Sequence, residues 1–119
     1  MLVSVIIPTY NRSKLALRAA NSVLDQTYSE IEVIVVDDGS TDDTTEVLTR
    51  IGDARVTYYK IPNSGAPAAR NYGLERSNGS YITFLDSDDE YYPEKIAKQL
   101  EVFRSSKVPN LGVVSCGRH

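Results

Sequence analysis

The sharpest chemical feature of the sequence is the run Asp86-Ser87-Asp88, in which two carboxylates stand two residues apart. In extended backbone this spacing directs both side chains to the same side. Mg²⁺ and Mn²⁺ accept carboxylate oxygens while keeping water and phosphate in their shells, so a divalent cation here would bridge the acids to a diphosphate. Asp-rich turns are also common structural elements, and the run fits equally well as a cap for the helix expected near Pro93.

A second acidic pair, Asp37-Asp38, follows a buried apolar run. A carboxylate in this position accepts hydrogen bonds from a nucleobase or a ribose. The pattern alone favours a helix cap, because Ser, Thr and Asp after a strand routinely bond the exposed amides of the next helix. We assign Asp42 and Asp43 to capping and Asp38 to ligand binding.

Aromatic and basic residues lie near these acids in the predicted fold. Tyr10, next to Pro8, stacks on a nucleobase, which is worth about 1–3 kcal/mol per base, or it is one of eight ordinary tyrosines. Arg12 contacts phosphate or points into water. Arg70 lies in the small-residue segment 65–73 and offers a planar fork that suits a phosphate or a carboxylate of the acidic clusters.

Short β-branched runs alternate with helix-spaced apolar residues along the whole chain. Continuous apolar runs indicate strands covered on both faces, and alternation with helices predicts a parallel sheet with right-handed crossovers. The predicted strands are 2–7 (ended by Pro8), 31–36, 55–61, 81–85 and 111–114. The predicted helices are 15–24, 42–51, 66–76 (followed by Gly79) and a last one from Pro93.

The predicted fold class is therefore α/β, a mostly parallel sheet with helices on both faces in a three-layer, Rossmann-like arrangement. Ligands of such sheets bind beyond the carboxyl ends of the strands. We expect the three polar segments that follow strands to face one edge, namely residues 9–12, 37–38 and 86–89.

The composition fits one soluble domain of 119 residues. The net charge is −3, so the chain lacks the excess of basic residues that is typical of nucleic-acid-binding domains, which argues against nucleic acid as a partner. The single cysteine, Cys116, excludes an internal disulfide and a Cys-based zinc site, and we expect it to pack in the core. The apolar segment 2–7 is too short to cross a bilayer and lacks signal-peptide features, so we expect a cytoplasmic location. We interpret His119 as a chain end and not as a catalytic base.

Three common catalytic motifs are absent from the sequence. There is no G-x-G-x-x-G for dinucleotides and no G-x-x-x-x-G-K-[ST] of P-loop NTPases. There is also no G-x-S-x-G nucleophile elbow, which argues against a serine hydrolase.

Four segments together resemble the donor-binding half of a family 2 glycosyltransferase, which has the glycosyltransferase A fold. They are VSVIIPTYNR at 3–12, VVDDGSTD at 35–42, NSG at 63–65 with ARNYG at 69–73, and FLDSDD at 84–89. Each segment is weak evidence alone. In this order, each after a predicted strand, they are specific, and they cover nearly the whole chain.

The resemblance implies that a set of residues binds a nucleotide sugar, expected to be a UDP-sugar, and that some of them bind Mn²⁺ or Mg²⁺. It implies that Thr9 and Tyr10 line the base pocket and that Asp38 bonds the base. Arg70 then lies near the base and diphosphate, Asp86 contacts the ribose or metal, and Asp88 ligates the metal. The whole implied set is Pro8, Thr9, Tyr10, Arg12, Asp38, Arg70 and Asp86 for the nucleotide, with Asp88 and Asp86 for the metal.

The resemblance also implies inverting transfer of the sugar to an acceptor hydroxyl of a glycan, lipid or protein. In the family the general base lies beyond the nucleotide-binding half. We therefore expect residues 1–119 to be a nucleotide-sugar-binding domain truncated before the acceptor-binding half, with no catalytic base before His119. Such a domain binds nucleotide but turns over poorly or not at all, and the full-length protein could associate with a membrane.

Three alternatives stay open from the sequence. A phospho-receiver domain has its acid pair after the first strand and a lysine ending the fifth, whereas here the pairs follow the second and fourth strands and Lys107 precedes the fifth. A sugar-phosphate nucleotidyltransferase would carry a Gly-rich basic loop after Ile7, which the sequence lacks. A non-catalytic nucleotide-binding module descended from the transferases fits the same residues.

Overall fold

Strands and helices alternate in the computed structural model, which describes residues 1–106 and 113–115. The elements are β1 (Val3–Thr9), α1 (Ser13–Leu24), β2 (Ile31–Asp37), α2 (Thr44–Thr49), β3 (Val56–Lys60), α3 (Ala66–Arg76), β4 (Tyr81–Phe84), α4 (Lys95–Ser106) and β5 (Val113–Ser115). The predictions for Lys107, Cys116 and His119 lie outside the described residues. Among the helices that are described, none is both long and apolar enough to cross a membrane.

All strands of the sheet are parallel, in the order β3-β2-β1-β4-β5. The chain builds outward from β1 in one direction through β2 and β3, and then returns to the other side of β1 with β4. This reversal of strand order between β1 and β4 is the topological switch point of a doubly wound sheet. The predicted α/β fold class is confirmed.

Both faces of the sheet are covered, because the apolar side chains of the central strands alternate between two cores. One core joins Val3, Val5 and Ile7 of β1 to the buried faces of α1 and α4 and to Leu48 of α2. The other joins Ile6 of β1 and residues of β2 to Ala69 of α3. Helices therefore pack on each face, as the continuous apolar runs predict.

Helix α3 lies very close to the sheet, and its small residues allow this. A Cβ atom at Gly73 would stand 2.6 Å from Cγ2 of Ile6 and 3.2 Å from Cγ2 of Val36. Ala69, one turn earlier, is fully buried. The small-residue segment before and through α3 thus sets the helix-to-sheet distance, and with it the position of Arg70.

The prediction that Pro8 ends the first strand is wrong, because β1 continues to Thr9 and pairs Pro8 with Val36. Alternate residues of a strand direct their main-chain groups to the same neighbour. The Ile6 carbonyl bonds Leu85 N on the β4 side, so the nitrogen of Pro8 faces that side, beyond the last β4 pair. No ladder bond is lost there, which is where a strand tolerates proline.

Two details of the helix ends also differ from the predictions. Asp42 accepts hydrogen bonds from Thr44 N at 3.0 Å and from the Thr44 hydroxyl, whereas Asp43 makes no side-chain cap bond. The Thr44 hydroxyl bond lowers the pKa of Asp42. The last helix begins at Lys95 and not at Pro93, and its Ile96 N–H donates to Oε1 of Gln26 at 2.9 Å.

Candidate functional site

A cavity of about 420 Å³ opens at the carboxyl edge of the sheet, beside the switch point. The predicted site residues all line it, although they come from four separate segments of the chain. The full lining is Pro8, Thr9, Tyr10, Arg12, Asp38, Ala66, Ala69, Arg70, Asp86, Ser87 and Asp88. Sequence reasoning assigned no role to Ser87 or to the two alanines, which have no distinctive chemistry to mark them.

The register of the sheet explains why these segments meet. Thr9 pairs with Asp37 at the ends of β1 and β2, and β4 ends two residues before Asp86. Because parallel strands end at the same edge, the residues that follow them are brought together. Arg70 reaches the same place from the first turns of α3.

The carboxylates of Asp86, Asp88 and Asp89 form a cluster with oxygen atoms within 4.8 Å of one another. The turn is closed by a hydrogen bond from Asp89 N to the Asp86 carbonyl at 2.9 Å. A set of hard oxygen donors in one turn fits Mg²⁺ or Mn²⁺, which complete their shells with water and phosphate oxygens. Asp89 was not assigned as a ligand from the sequence, because spacing alone does not show that the turn folds it toward Asp86.

Two arginines form loose ion pairs with this cluster. Arg70 Nη2 lies 3.4 Å from Asp86 Oδ1, and Arg12 Nη1 lies 3.5 Å from Asp88 Oδ2. All four side chains are partly exposed, so solvent screening leaves each pair with little stabilising value. The ion pair of Arg70 with Asp86 is one of the partners that the sequence suggested, and it leaves most of the guanidinium donors available to a ligand.

The charges of the cavity lining define what it attracts. Two arginines and three aspartates line it, which leaves one formal negative charge. A divalent cation would turn this into one positive charge, and a diphosphate would then be attracted and not repelled. The charge balance is thus compatible with an anion that is bound together with a divalent cation.

Asp38 has a structural function in addition to the one predicted from the sequence. Its carboxylate accepts Ser64 N at 2.7 Å and Gly65 N at 2.9 Å, and it fixes the loop that leads into α3. Gly39 permits this contact, since it has φ +78° and a Cβ atom there would lie 2.8 Å from Asn63 N. Asp38 also borders the cavity.

Thr9 carries an unsatisfied polar atom in the cavity wall. The side chain is 4% exposed, and among the residues that the structure describes its Oγ1 is the buried side-chain oxygen without a hydrogen-bond partner. Such atoms are rare in native proteins and cost stability. Tyr10, 45% exposed at the rim, offers an aromatic ring beside it.

Asp37, the other acid of the pair after β2, is fully buried and does not line the cavity. Its carboxylate accepts Ser40 N at 2.8 Å and the Tyr58 hydroxyl. Burial and the bond to Asp37 raise the pKa of Tyr58 to about 12. Of the two acids, Asp38 and not Asp37 borders the cavity, and its predicted contact with a ligand stays a prediction.

The structure is a doubly wound, parallel α/β domain with a cavity at the carboxyl edge of its sheet and an acidic turn in the cavity wall. The sequence profile of Glycosyl transferase family 2 matches residues 4–115, and the chain belongs to this family. The phospho-receiver alternative is therefore wrong. The strand positions agree, since the acid pairs follow β2 and β4 and not the first strand, where a receiver domain has its pair.

Relatives and solved structures agree with this assignment. An uncharacterised glycosyltransferase of Rickettsia felis is 52% identical over 101 residues, which are 83% of this chain and 17% of the relative. One of Haemophilus influenzae is 47% identical over 102 residues, covering 83% of this chain and 41% of the relative. The chain thus spans less than half the length of these relatives.

Two solved structures have a similar fold. TarS 1–349 of Staphylococcus aureus in complex with UDP-GlcNAc has a TM-score of 0.81 and 34% identity, over 88% of this chain and 32% of that chain. The mannosyltransferase PcManGT of Pyrobaculum calidifontis in complex with GDP-Man and Mn²⁺ has a TM-score of 0.76 and 27% identity, over 90% and 32% of the two chains.

Proposed function

We propose that this chain is the nucleotide-sugar-binding domain of an inverting glycosyltransferase that uses a divalent cation and a UDP-sugar donor. The observation that carries the proposal is that the aromatic, acidic and basic residues of four segments line one cavity at the switch point. The complexes of TarS with UDP-GlcNAc and of PcManGT with GDP-Man and Mn²⁺ support a nucleotide sugar and a metal as ligands of this fold.

The cavity has a base side and a phosphate side. On the base side, Tyr10 stacks on the ring, Thr9 supplies a hydroxyl that lacks a protein partner, and Asp38 accepts a base N–H. A hydroxyl and a carboxylate that both bond the base discriminate among bases, because a wrong base would leave them unpaired. Pro8 shapes the entrance to this side.

On the phosphate side, Asp88 and Asp86 hold Mn²⁺ or Mg²⁺, and the Asp89 carboxylate lies within the same cluster. A cation held there would supply electrostatic stabilisation for the nucleoside diphosphate as a leaving group. Arg12 and Arg70, at the distances given above, turn their donors from the carboxylates to the phosphate oxygens. The chain's own residues thus bind and orient the donor.

We assign no general base to the described residues, and we propose that the acceptor, a glycan, lipid or protein hydroxyl, is bound by other parts of the protein. The chain spans 17% and 41% of the two relatives described above. We expect these 119 residues to bind the donor nucleotide without measurable transfer. Cytoplasmic location and membrane association of the full-length protein remain part of the proposal.

Calorimetric titration of UDP, GDP and dTDP, each with Mn²⁺ and with a chelator, tests the proposal. We expect UDP with Mn²⁺ to bind most tightly and the chelator to remove most of the affinity. If none of the three nucleotides gave a heat of binding, nucleotide binding would be contradicted. Equal affinity with and without Mn²⁺ would contradict the metal bridge and leave the non-catalytic binding module as the better interpretation.

A further inference from the structure

Asn11 has an unusual backbone conformation at the rim of the cavity. Its φ is +50°, and it is the non-glycine residue with positive φ among the residues that the structure describes. Asn tolerates this left-handed region better than most residues do, but the conformation still needs local support. Asn11 stands between Tyr10 and Arg12, which both line the cavity, yet it does not line the cavity itself.

The side chain of Asn11 supplies the support by binding the turn that follows β2. Its Oδ1 accepts Thr41 N at 2.7 Å, Asp42 N at 3.3 Å and the Thr41 hydroxyl at 3.4 Å. Its main-chain N–H donates to Oγ of Ser40 at 2.8 Å. One residue thus joins the loop after β1 to the turn after β2.

This junction lies between the two groups that form the base side of the cavity. Tyr10 precedes Asn11 directly, and Asp38 begins the turn that Asn11 binds, with its own N–H bonded to the Thr9 carbonyl at 2.8 Å. Arg12 is held separately, because its carbonyl accepts Ala16 N at 2.8 Å in the first turn of α1. Loss of the Asn11 side chain should therefore disturb Tyr10 more than Arg12.

We propose that Asn11 is a positioning residue for nucleobase recognition, which keeps Tyr10 at a fixed distance from Asp38. The inference rests on the proposed function. Asn11 gives no group to the ligand, so its contribution is to the base and not to the phosphates. This predicts a loss of affinity that depends on the presence of a base.

The test compares UDP with inorganic pyrophosphate, both in Mn²⁺, for wild type and for Asn11→Ala, Asn11→Asp and Asn11→Gly. We expect Asn11→Ala to weaken UDP about tenfold and to leave pyrophosphate affinity within about twofold. Asn11→Asp keeps the acceptor oxygen and should restore most UDP affinity. Asn11→Gly tolerates the positive φ but lacks the side-chain oxygen, and its UDP affinity should be as low as that of Asn11→Ala. Asn21→Ala, an exposed asparagine of α1, is the control and should match wild type.

A double variant separates positioning from general stability. In a Tyr10→Ala background, Asn11→Ala should reduce UDP affinity by less than about twofold, because its effect acts through the missing ring. Wild-type UDP affinity in Asn11→Ala, an equal loss for UDP and pyrophosphate, or a full tenfold further loss in the double variant would each overturn the inference. If wild type binds neither UDP nor pyrophosphate, the proposed function fails, and the inference fails with it.

Discussion

Acidic side chains lie at both edges of the sheet, and they differ in how fully their oxygens are hydrogen-bonded. At the amino edge, Glu32 accepts the Ser4 hydroxyl at 2.5 Å and Asn78 N at 2.6 Å, while Ser4 Oγ in turn accepts Gly79 N at 2.8 Å. At the carboxyl edge, the nearest guanidinium atom to the Asp88 carboxylate is 3.5 Å away.

A structural carboxylate can be separated from one with capacity for a ligand by its hydrogen-bond partners. Glu32 accepts two short hydrogen bonds at Oε2 and a longer one from Asn78 Nδ2 at Oε1, and it joins the starts of β1, β2 and β4. Asp88 is exposed and only loosely paired, and the Thr9 hydroxyl in the same cavity has no partner in the described structure. The charged group is a carboxylate in both cases, but Asp88 has fewer hydrogen-bond donors from the chain around it than Glu32 has.

The largest effect that this comparison predicts is for Asp88→Ala. Loss of the most exposed metal ligand should weaken UDP binding in Mn²⁺ by about 100-fold, or about 2.8 kcal/mol. The melting temperature should stay close to that of wild type, because the Asp88 side chain supports no described core contact. Calorimetry with UDP and Mn²⁺, together with thermal unfolding, measures both quantities.

The matched control is Asp25→Ala, which removes an exposed carboxylate next to α1 and away from the cavity. It should leave UDP affinity and Mn²⁺ dependence unchanged. Unchanged affinity in Asp88→Ala would sink the assignment of the metal site, and an equal loss in both variants would show that only net charge matters.

Much of the fold could be predicted from the sequence, because the strands are short apolar runs and α1, α2 and α4 show apolar residues at helical spacing, while α3 is a stretch that merely permits a helix. The errors concern local hydrogen bonds. Pro8 stays in β1 because the β4 ladder ends before it, and Asp42 caps α2 without help from Asp43. Neither outcome is encoded in the adjacent residues, since each depends on where a neighbouring element ends.

The candidate site could be predicted as a set of residues but not as a network. Strand ends place Tyr10, Asp38 and Asp88 at one edge, and this follows from parallel topology alone. The bond from Asp38 to Ser64 N spans 26 positions, and that from Asn11 to Thr41 N spans 30. Such partners become visible only when the loops are folded, so the anchoring function of Asp38 and Asn11 could not be read from spacing.

A smaller effect, of a different kind, is predicted for Glu32→Ala at the amino edge. The variant leaves the buried Ser4 hydroxyl and the Asn78 amide without their acceptor, which should cost about 2 kcal/mol in the free energy of unfolding. UDP affinity in Mn²⁺ should be unchanged. Urea unfolding gives the first quantity and calorimetry gives the second.

Glu30→Ala serves as the control at the same edge, since Glu30 is exposed and its carboxylate pairs with the amino terminus at 3.0 Å. Its effect on the free energy of unfolding should lie within about 0.5 kcal/mol. A loss of UDP affinity in Glu32→Ala at temperatures where the protein is folded would break the distinction between the two edges.

The smallest effect concerns Asp37, which lies at the carboxyl edge. Like those of Glu32, both of its carboxylate oxygens accept hydrogen bonds from the chain. Tyr58→Phe removes one of its donors and should cost about 1 kcal/mol at neutral pH, measured by urea unfolding. The folded pKa of Tyr58 is about 12, above its ordinary value of about 10.

A group with a raised folded pKa stabilises fully below its unfolded pKa and loses that contribution as pH rises through the folded value. Wild-type stability should therefore fall between about pH 10 and 12 with a component that Tyr58→Phe lacks. Thr45, whose hydroxyl lies 2.7 Å from that of Tyr58, gives a control in Thr45→Val, which keeps the Asp37 bond and should keep the alkaline component. Parallel alkaline curves for wild type and Tyr58→Phe would contradict the raised pKa of Tyr58, which burial and the Asp37 bond cause together. The Tyr58 bond could then no longer be used to separate the buried Asp37 from the exposed Asp88.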